Sequence, residues 1–256
     1  MMNFIYCFES EWLKKKRSLA SWLVIYGAFF TPVFIIIARI IHSSPLYAAS
    51  LKADYWQLLW KSATESLAIF LLPMGAIMAV TLIVQLEYKN NTWKQLHAVP
   101  QRFTTIFFAK LFVILLMMVQ FFLLFDIGVY LCGTIPYVIK GISLPKAPLP
   151  LLFLLKENFN YFITCLPIVA LQYLLALHFK NFLVSIGAGF LLWVAALAML
   201  SWPYWYINPY TYCPGYFTGV SGKHNPGISI QVLSMTYFFV FITAGYVLYL
   251  TKKEKG

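Results

Sequence analysis

The sequence predicts an all-α polytopic membrane protein with six transmembrane helices, an N-terminal interfacial amphipathic helix and a short cytoplasmic helix between the second and third spans. Three observations carry that prediction. Of 256 residues, 61% are hydrophobic and only 11% are charged, against roughly 25% charged in a soluble domain. A soluble globule cannot cover that much apolar surface with so few polar groups. Several apolar stretches have about the 20 residues that a bilayer crossing needs. Lysines and arginines gather at the ends of these stretches, as they do in membrane topologies. Soluble enzymes, disordered chains and disulfide scaffolds are excluded, and the length suits a single membrane domain over residues 1–256 with no fused ATPase.

Residues 1–18 read as the interfacial helix: Phe4, Ile5, Phe8 and Trp12 fall at helical spacing, with Glu9, Glu11 and the cluster Lys14-Lys15-Lys16-Arg17 elsewhere. The first span covers 19–41, with Pro32 inside. A polar, aromatic loop follows to residue 61. The second span covers 62–86 and holds Pro73 and Gly75. Residues 87–100 are the most polar internal stretch. Thr92 and Gln95 have capping-box spacing, and Pro100 disfavours helix at Val99, which predicts a short helix within 87–100 carrying Trp93 and Leu96 on one face. The third span covers 104–132. In 133–158, the apolar run 149–155 is too short to cross and is expected to dip into the interface. The fourth, fifth and sixth spans cover 159–178, 182–200 and 228–250.

The formal net charge is +11. Six spans place both termini on one side. That side carries twelve of the nineteen basic residues. Arg39, Lys52, Lys61, Lys140, Lys146, Lys156 and Lys223 fall on the other. The bias predicts cytoplasmic termini, with the positive charge serving lipid headgroups and topology rather than nucleic acid.

Catalytic patterns are scarce. There is no HExxH, GxSxG, P-loop or paired-cysteine metal pattern, and no two of the four histidines sit four residues apart. Charges within spans are functional candidates by default. Arg39, Glu65 and Asp126 fall at comparable depth and read as an intramembrane charge cluster that could line an outer cavity, the alternatives being a structural tie or side chains that snorkel to the headgroups. Cys132 and Cys213 fall on the same side, which leaves a disulfide open. The loop after the fifth span is crowded with rings, among them Trp202, Trp205, Tyr206 and Tyr210, and reads as an interfacial aromatic belt or a contact surface for substrate or partner.

Three stretches resemble the permease subunits of ABC-2 type transporters, especially the six-span lantibiotic-protection and bacitracin-type export permeases. They are Glu11-x-x-Lys14-x-Lys16-Arg17-Ser18, the segment from Glu87 to Pro100 followed by Phe103, Thr104 and Lys110, and the turn Ile207-Asn208-Pro209-Tyr210. The resemblance implies a permease in the bacterial cytoplasmic membrane that hydrolyses nothing and binds no cofactor. A second copy or a paralogue would pair with it, and ABC ATPase subunits would bind the ATP and Mg. The substrate would be amphipathic, a peptide antibiotic or a lipid-like molecule. Glu87, Thr92, Trp93, Lys94, Leu96 and Pro100 would form the ATPase-coupling segment. The residues alone leave open a membrane-embedded enzyme using Glu65, Asp126 and a histidine, and a non-transporting assembly or sensor partner.

Overall fold

The structure is a computed structural model that describes residues 2–16, 18–42, 46–89, 103–179, 181–219 and 227–253. Helix α1 is Met2–Lys16, α2 Leu19–Ile41, α3 Leu46–Ser50 and α4 Tyr55–Ser66. A π-helical turn, Leu67–Leu71, joins α4 to α5, Leu72–Lys89. Then come α6, Phe103–Lys140, α7, Leu151–His178, and α8, Phe182–Met199. Two tight turns, Trp205–Ile207 and Pro209–Thr211, lead into α9, Tyr212–Thr218, and α10 is Ile230–Lys253. Among the described residues there is no strand. Among the described residues, six helices are long and apolar enough to cross a bilayer: Leu19–Ile41, Tyr55–Leu86, Thr104–Lys140, Leu151–His178, Phe182–Met199 and Ile230–Leu250.

The first, third and fifth spans begin where expected, and three boundaries move by more than two residues. The second span starts at Tyr55, not at residue 62, and absorbs part of the expected loop. Tyr55, Trp56, Leu59 and Trp60 are buried at helical spacing, which their polar neighbours Gln57 and Lys61 masked. The third helix runs through Pro136 to Lys140. The run expected to dip into the interface instead opens the fourth span. Pro150 sits at its N-cap, and Lys156-Glu157-Asn158 lies two turns inside rather than at its edge. Trp56 donates its indole N–H to the Ala147 carbonyl at 2.9 Å, and the Tyr137 hydroxyl bonds the Leu46 carbonyl at 3.0 Å, so the connections after the first and third spans are held on the bundle.

Helices α2 and α6 pack along each other, as do α7 and α10, and α5 packs on α7 and α8. Helix α1 lies along the first half of α6, with Cys7 against Ile106 and Ala109. Tyr249, near the end of α10, meets the Phe107 ring at a tilt, with centroids 5.6 Å apart. Both chain ends therefore sit at one end of the bundle, here the termini end.

At the centre lies Gln172, fully buried. Its amide donates to Thr81 Oγ1 at 2.7 Å and to the Ser185 carbonyl at 3.0 Å, and its carbonyl accepts from the Tyr210 hydroxyl at 3.2 Å. One side chain thus ties three spans and the aromatic loop with no buried valence wasted. Two prolines show the same economy. A proline lacks the N–H that pairs the carbonyl four residues earlier. For Pro136 that carbonyl is Cys132, which Arg39 Nη1 bonds at 2.9 Å. For Pro73 it is Ile69, which Trp193 Nε1 bonds at 3.0 Å.

Replacing Trp193 by Phe removes the donor together with part of the buried indole, so it is expected to destabilise the chain by about 1–3 kcal/mol or more in a detergent melt. In a Pro73→Ala background the backbone N–H returns, and the same replacement is expected to cost clearly less. Equal costs in both backgrounds would remove the assigned role.

A second expectation concerns close packing. A Cβ at Gly128 would lie 2.7 Å from Pro32 Cγ, whereas one at Gly75 meets nothing within 4 Å. Gly128→Ala should lower stability by about 1–3 kcal/mol through overpacking. Gly75→Ala should be neutral or slightly stabilising by the same melt.

Candidate functional site

Three places in the bundle carry chemistry, one at each end and one between. At the termini end, α1 turns an unexpected face to α6. Cys7, Glu11 and Lys15, spaced four apart, are its buried residues over 4–16, whereas Phe4 and Ile5 are exposed. Only Phe8 and Trp12 of the expected apolar face reach the core. The reason is electrostatic. Glu11 Oε2 lies 3.6 Å from Lys110 Nζ on α6, and Glu11 Oε1 pairs with Lys14. Lys15 Nζ donates to Gln120 Oε1 at 2.7 Å and lies 4.1 Å from the centre of the Trp12 ring. Burial works to raise the Glu11 carboxyl, but Lys110 and Lys14 outweigh it and hold it below its ordinary value. Burial pushes the Lys15 ammonium down. Glu11 and Lys110 both belong to the sequence patterns quoted above, but nothing in their spacing foretold that they meet.

Between the ends lies an apolar cavity of about 280 Å³. The first four spans wall it, through Leu23, Gly27, Met74, Gly75, Met118 and Val169 among others. Phe70 and Leu71 of the π-helical turn also line it. Such turns are frequent at functional sites because they widen the helix locally. Met side chains adapt to irregular apolar ligands. Sequence reading missed this cavity, since Gly27 and Gly75 looked like ordinary span residues.

At the far end the expected Arg39–Glu65–Asp126 cluster does not form. Arg39 bonds the Tyr55 hydroxyl at 2.8 Å and the Cys132 carbonyl. Asp126 accepts from Asn158 on α7, and Glu65 is exposed. Among the described residues no ion pair joins the three. Pro136 supplies the physical reason, because the carbonyl it frees claims the guanidinium first. One Asp126 oxygen and the Asn158 carbonyl oxygen are buried without a described partner. Beside them Trp60, Lys61, Glu157 and Tyr216 line a pocket of about 440 Å³.

The aromatic loop is only partly a belt. Trp202 is exposed and Tyr206 half-buried, but Trp205 and Tyr210 are fully buried. Asn208 explains the inward turn. It accepts from the Tyr210 N–H at 3.0 Å and donates to the Leu192 carbonyl at 3.1 Å, which aims Tyr210 at Gln172. Tyr216, on α9, has its hydroxyl pushed up to about 12 by burial and then by Glu157. Cys132 and Cys213 do not meet. Cys132 Sγ lies 3.1 Å from the Pro32 carbonyl and Cys213 Sγ lies 3.6 Å from Thr164 Oγ1. Among the described residues, no three His, Cys, Asp or Glu side chains gather as a metal site. Of the coupling residues, Glu87 falls in the last turn of α5. Thr92, Trp93, Lys94, Leu96 and Pro100 lie outside the described residues.

The sequence model of a family described as "ABC-2 family transporter protein" matches residues 7–196. No curated protein matches the chain, and no solved structure does.

The buried pair makes a testable expectation. Lys110→Met leaves Glu11 buried with Lys14 as its remaining partner and should cost about 1–3 kcal/mol, while Glu11→Leu with Lys110→Met should recover most of it. Thermal melts of the single and double variants check this. The Glu11 contribution is present above the unfolded-state value of 4.5 and fades as pH falls through the lower folded-state value. Hydrogen-exchange protection of α1 should therefore hold at pH 7 and decline only below about pH 4.5.

Proposed function

The chain belongs to the ABC-2 family of transporter proteins and is a multi-pass transporter membrane subunit, and from that premise we propose that it is the permease of an exporter driven by a separate ATPase. The substrate is amphipathic, a peptide antibiotic or a lipid-like molecule, as in the lantibiotic-protection subgroup that the sequence resembles. The chain works in a bacterial cytoplasmic membrane, paired with a second copy or a paralogue. Its termini end faces the cytoplasm, which the excess of lysine and arginine at that end supports. ATP and Mg are handled by the partner, and the permease supplies shape and motion.

The observation that carries this reading is the apolar cavity at mid-bundle. It is almost free of polar groups, and its walls come from four different spans. A change in the angle between spans therefore changes its size. An apolar moiety gains about 25 cal/mol for each Å² taken out of water, and little for passing from lipid to such a cavity. The cavity can thus receive the apolar part of a substrate without trapping it, as a conduction path requires.

Coupling is assigned to residues 87–100. This segment joins α5 to α6, so it lies between a span that lines the cavity and the helix to which Glu11 is tied. Trp93 and Leu96 would seat in a groove of the ATPase, with Glu87, Thr92, Lys94 and Pro100 shaping and capping the segment. A buried tryptophan anchor at such an interface is commonly worth 2 kcal/mol or more.

The reading is tested by co-expressing the chain with its ATPase and measuring co-purification and substrate-stimulated turnover. Trp93→Ala and Glu87→Lys should each lose about tenfold or more of the coupled turnover. Gly75→Leu, which fills the cavity, should keep the ATPase bound and abolish stimulation by substrate. Normal coupling in both Trp93→Ala and Glu87→Lys defeats the assigned segment. Normal stimulation in Gly75→Leu defeats the cavity as the path.

A further inference from the structure

The pocket at the far end is built unlike the rest of the bundle. Trp60, Phe153, Tyr161 and Tyr216 wall its cavity of about 440 Å³. The rings of Trp60 with Phe153, Trp60 with Tyr161, and Tyr161 with Tyr216 meet edge-on or tilted, at centroid separations of 5.5, 5.9 and 5.1 Å. Three charged side chains line the same cavity: Asp54, Lys61 and Glu157. None of the three forms an ion pair among the described residues.

That absence of pairing needs a physical cause, because opposite charges near a common cavity attract. The elements holding them are rigid. Glu157 sits on α7, where Oε2 accepts from the Tyr216 hydroxyl at 3.0 Å. The Tyr216 oxygen in turn accepts from Asn160 Nδ2 at 2.9 Å. This relay fixes the carboxylate and leaves its other oxygen without a described hydrogen bond. Asp54 precedes α4 without capping it, so its carboxylate is not spent on the helix. Lys61 sits two turns along α4. The cavity keeps the two signs apart, and a ligand carrying both signs completes both.

We propose that this pocket binds the zwitterionic headgroup of a lipid-type amphiphile, with its ammonium toward Glu157 and the rings and its phosphate toward Lys61. Aromatic faces attract ammonium groups and strengthen that attraction when water is excluded. A lysine ammonium is a good point-charge partner for phosphate. A ligand with positive charge alone would be opposed by Lys61, and one with negative charge alone by Asp54 and Glu157. The tails have a place as well. Leu58 lines the pocket and is exposed, and Leu151, Leu152 and Leu155, on the turns of α7 that carry Phe153 and Glu157, are exposed apolar residues. A polar pocket beside an apolar, outward-facing helix face fits an amphiphile held by its headgroup with its chains in lipid.

The inference names the class of the amphipathic substrate, and it rests on the transport reading only for the fate of the ligand. Binding is measured on the full chain in non-ionic detergent with no ATPase or ATP, so binding and transport can fail separately. The probes are dihexanoyl phosphatidylethanolamine, dihexanoyl phosphatidylglycerol and a tri-lysine peptide, each titrated by calorimetry. The zwitterionic lipid should bind saturably, and the anionic lipid and the peptide at least about tenfold more weakly. Glu157→Gln and Lys61→Gln should each weaken the zwitterion about tenfold, with melting temperatures within a few degrees of the parent. If Glu157→Gln does not assemble, Asp54→Asn on the exposed rim and Tyr216→Phe, which frees the carboxylate from its relay, replace it with the same direction expected. Anionic lipid or tri-lysine binding as tightly as the zwitterion overturns the proposal, as does unchanged affinity in the charge variants.

Discussion

A bilayer core offers no water, so every backbone carbonyl within it has to find its partner in the protein. Much of this architecture follows from that constraint. Four helices that cross the bilayer contain prolines: Pro32, Pro73, Pro136 and Pro167. At Pro73 and Pro136 the carbonyl left behind is met by a donor from a different span, Trp193 in one case and Arg39 in the other. Each such bond is also a tertiary restraint, since it fixes the depth and rotation of one helix against another. The prolines thus convert a local defect into inter-span registration. The hydroxyls of Thr64, Thr81 and Ser234 solve the same problem locally, each bonding the carbonyl four residues earlier.

The charged groups obey a harsher version of the constraint, and this sorts them to the two ends. A buried ion is tolerated only when paired and hydrogen-bonded. At the termini end Glu11 meets two lysines. At the far end Arg39 meets a carbonyl and a hydroxyl, and Asp126 meets an amide. The middle holds the uncharged Gln172 hub and an apolar cavity. An ion pair at mid-depth would hold spans together more tightly, but it would also have to be broken for them to move. Neutral hydrogen bonds and methionine-lined space carry no such penalty.

How much of this could be read in advance depends on which physical signal each feature leaves. A span leaves a long one, and Leu19–Ile41 was legible to the residue. Its neighbours were not, because Trp56, Trp60 and Tyr55 are amphipathic rings that score as loop when averaged with Gln57 and Lys61. Pro136 looked like an ending because a single sequence does not show that Arg39 would rescue its carbonyl. Glu11 and Lys110 were both visible as polar residues in patterned surroundings. Their pairing was not, since helical spacing gives the faces of α1 and α6 but not which faces meet. The cluster expected of Arg39, Glu65 and Asp126 failed for the same reason. Equal depth is a one-dimensional measure, and pairing also needs a shared azimuth. Glu65 sits on an exposed face of α4, turned away from both.

Helix α6 is where these separate solutions meet. With 38 residues it is about 57 Å long, well beyond the roughly 30 Å of hydrocarbon. Its first turns carry Lys110, tied to α1, and follow directly on the segment assigned to coupling. Its far half carries Gly128 and Gly133, where a Cβ would strike Pro32 and Trp56, and Cys132, whose carbonyl holds Arg39. It packs on α1, α2 and α4. A packed helix of this kind transmits a displacement as a unit, because its tightest contacts, at Gly128 and Gly133, are with the rings of Pro32 and Trp56. Across the cavity, span two carries the π-helical turn, where the Leu72 N–H bonds the Leu67 carbonyl, so its hydrogen-bond ladder slips by one residue where α6 is continuous. The cavity is therefore bounded by one wall that stays straight and another whose backbone is already irregular. That asymmetry ties the two ends of the bundle to a single cavity.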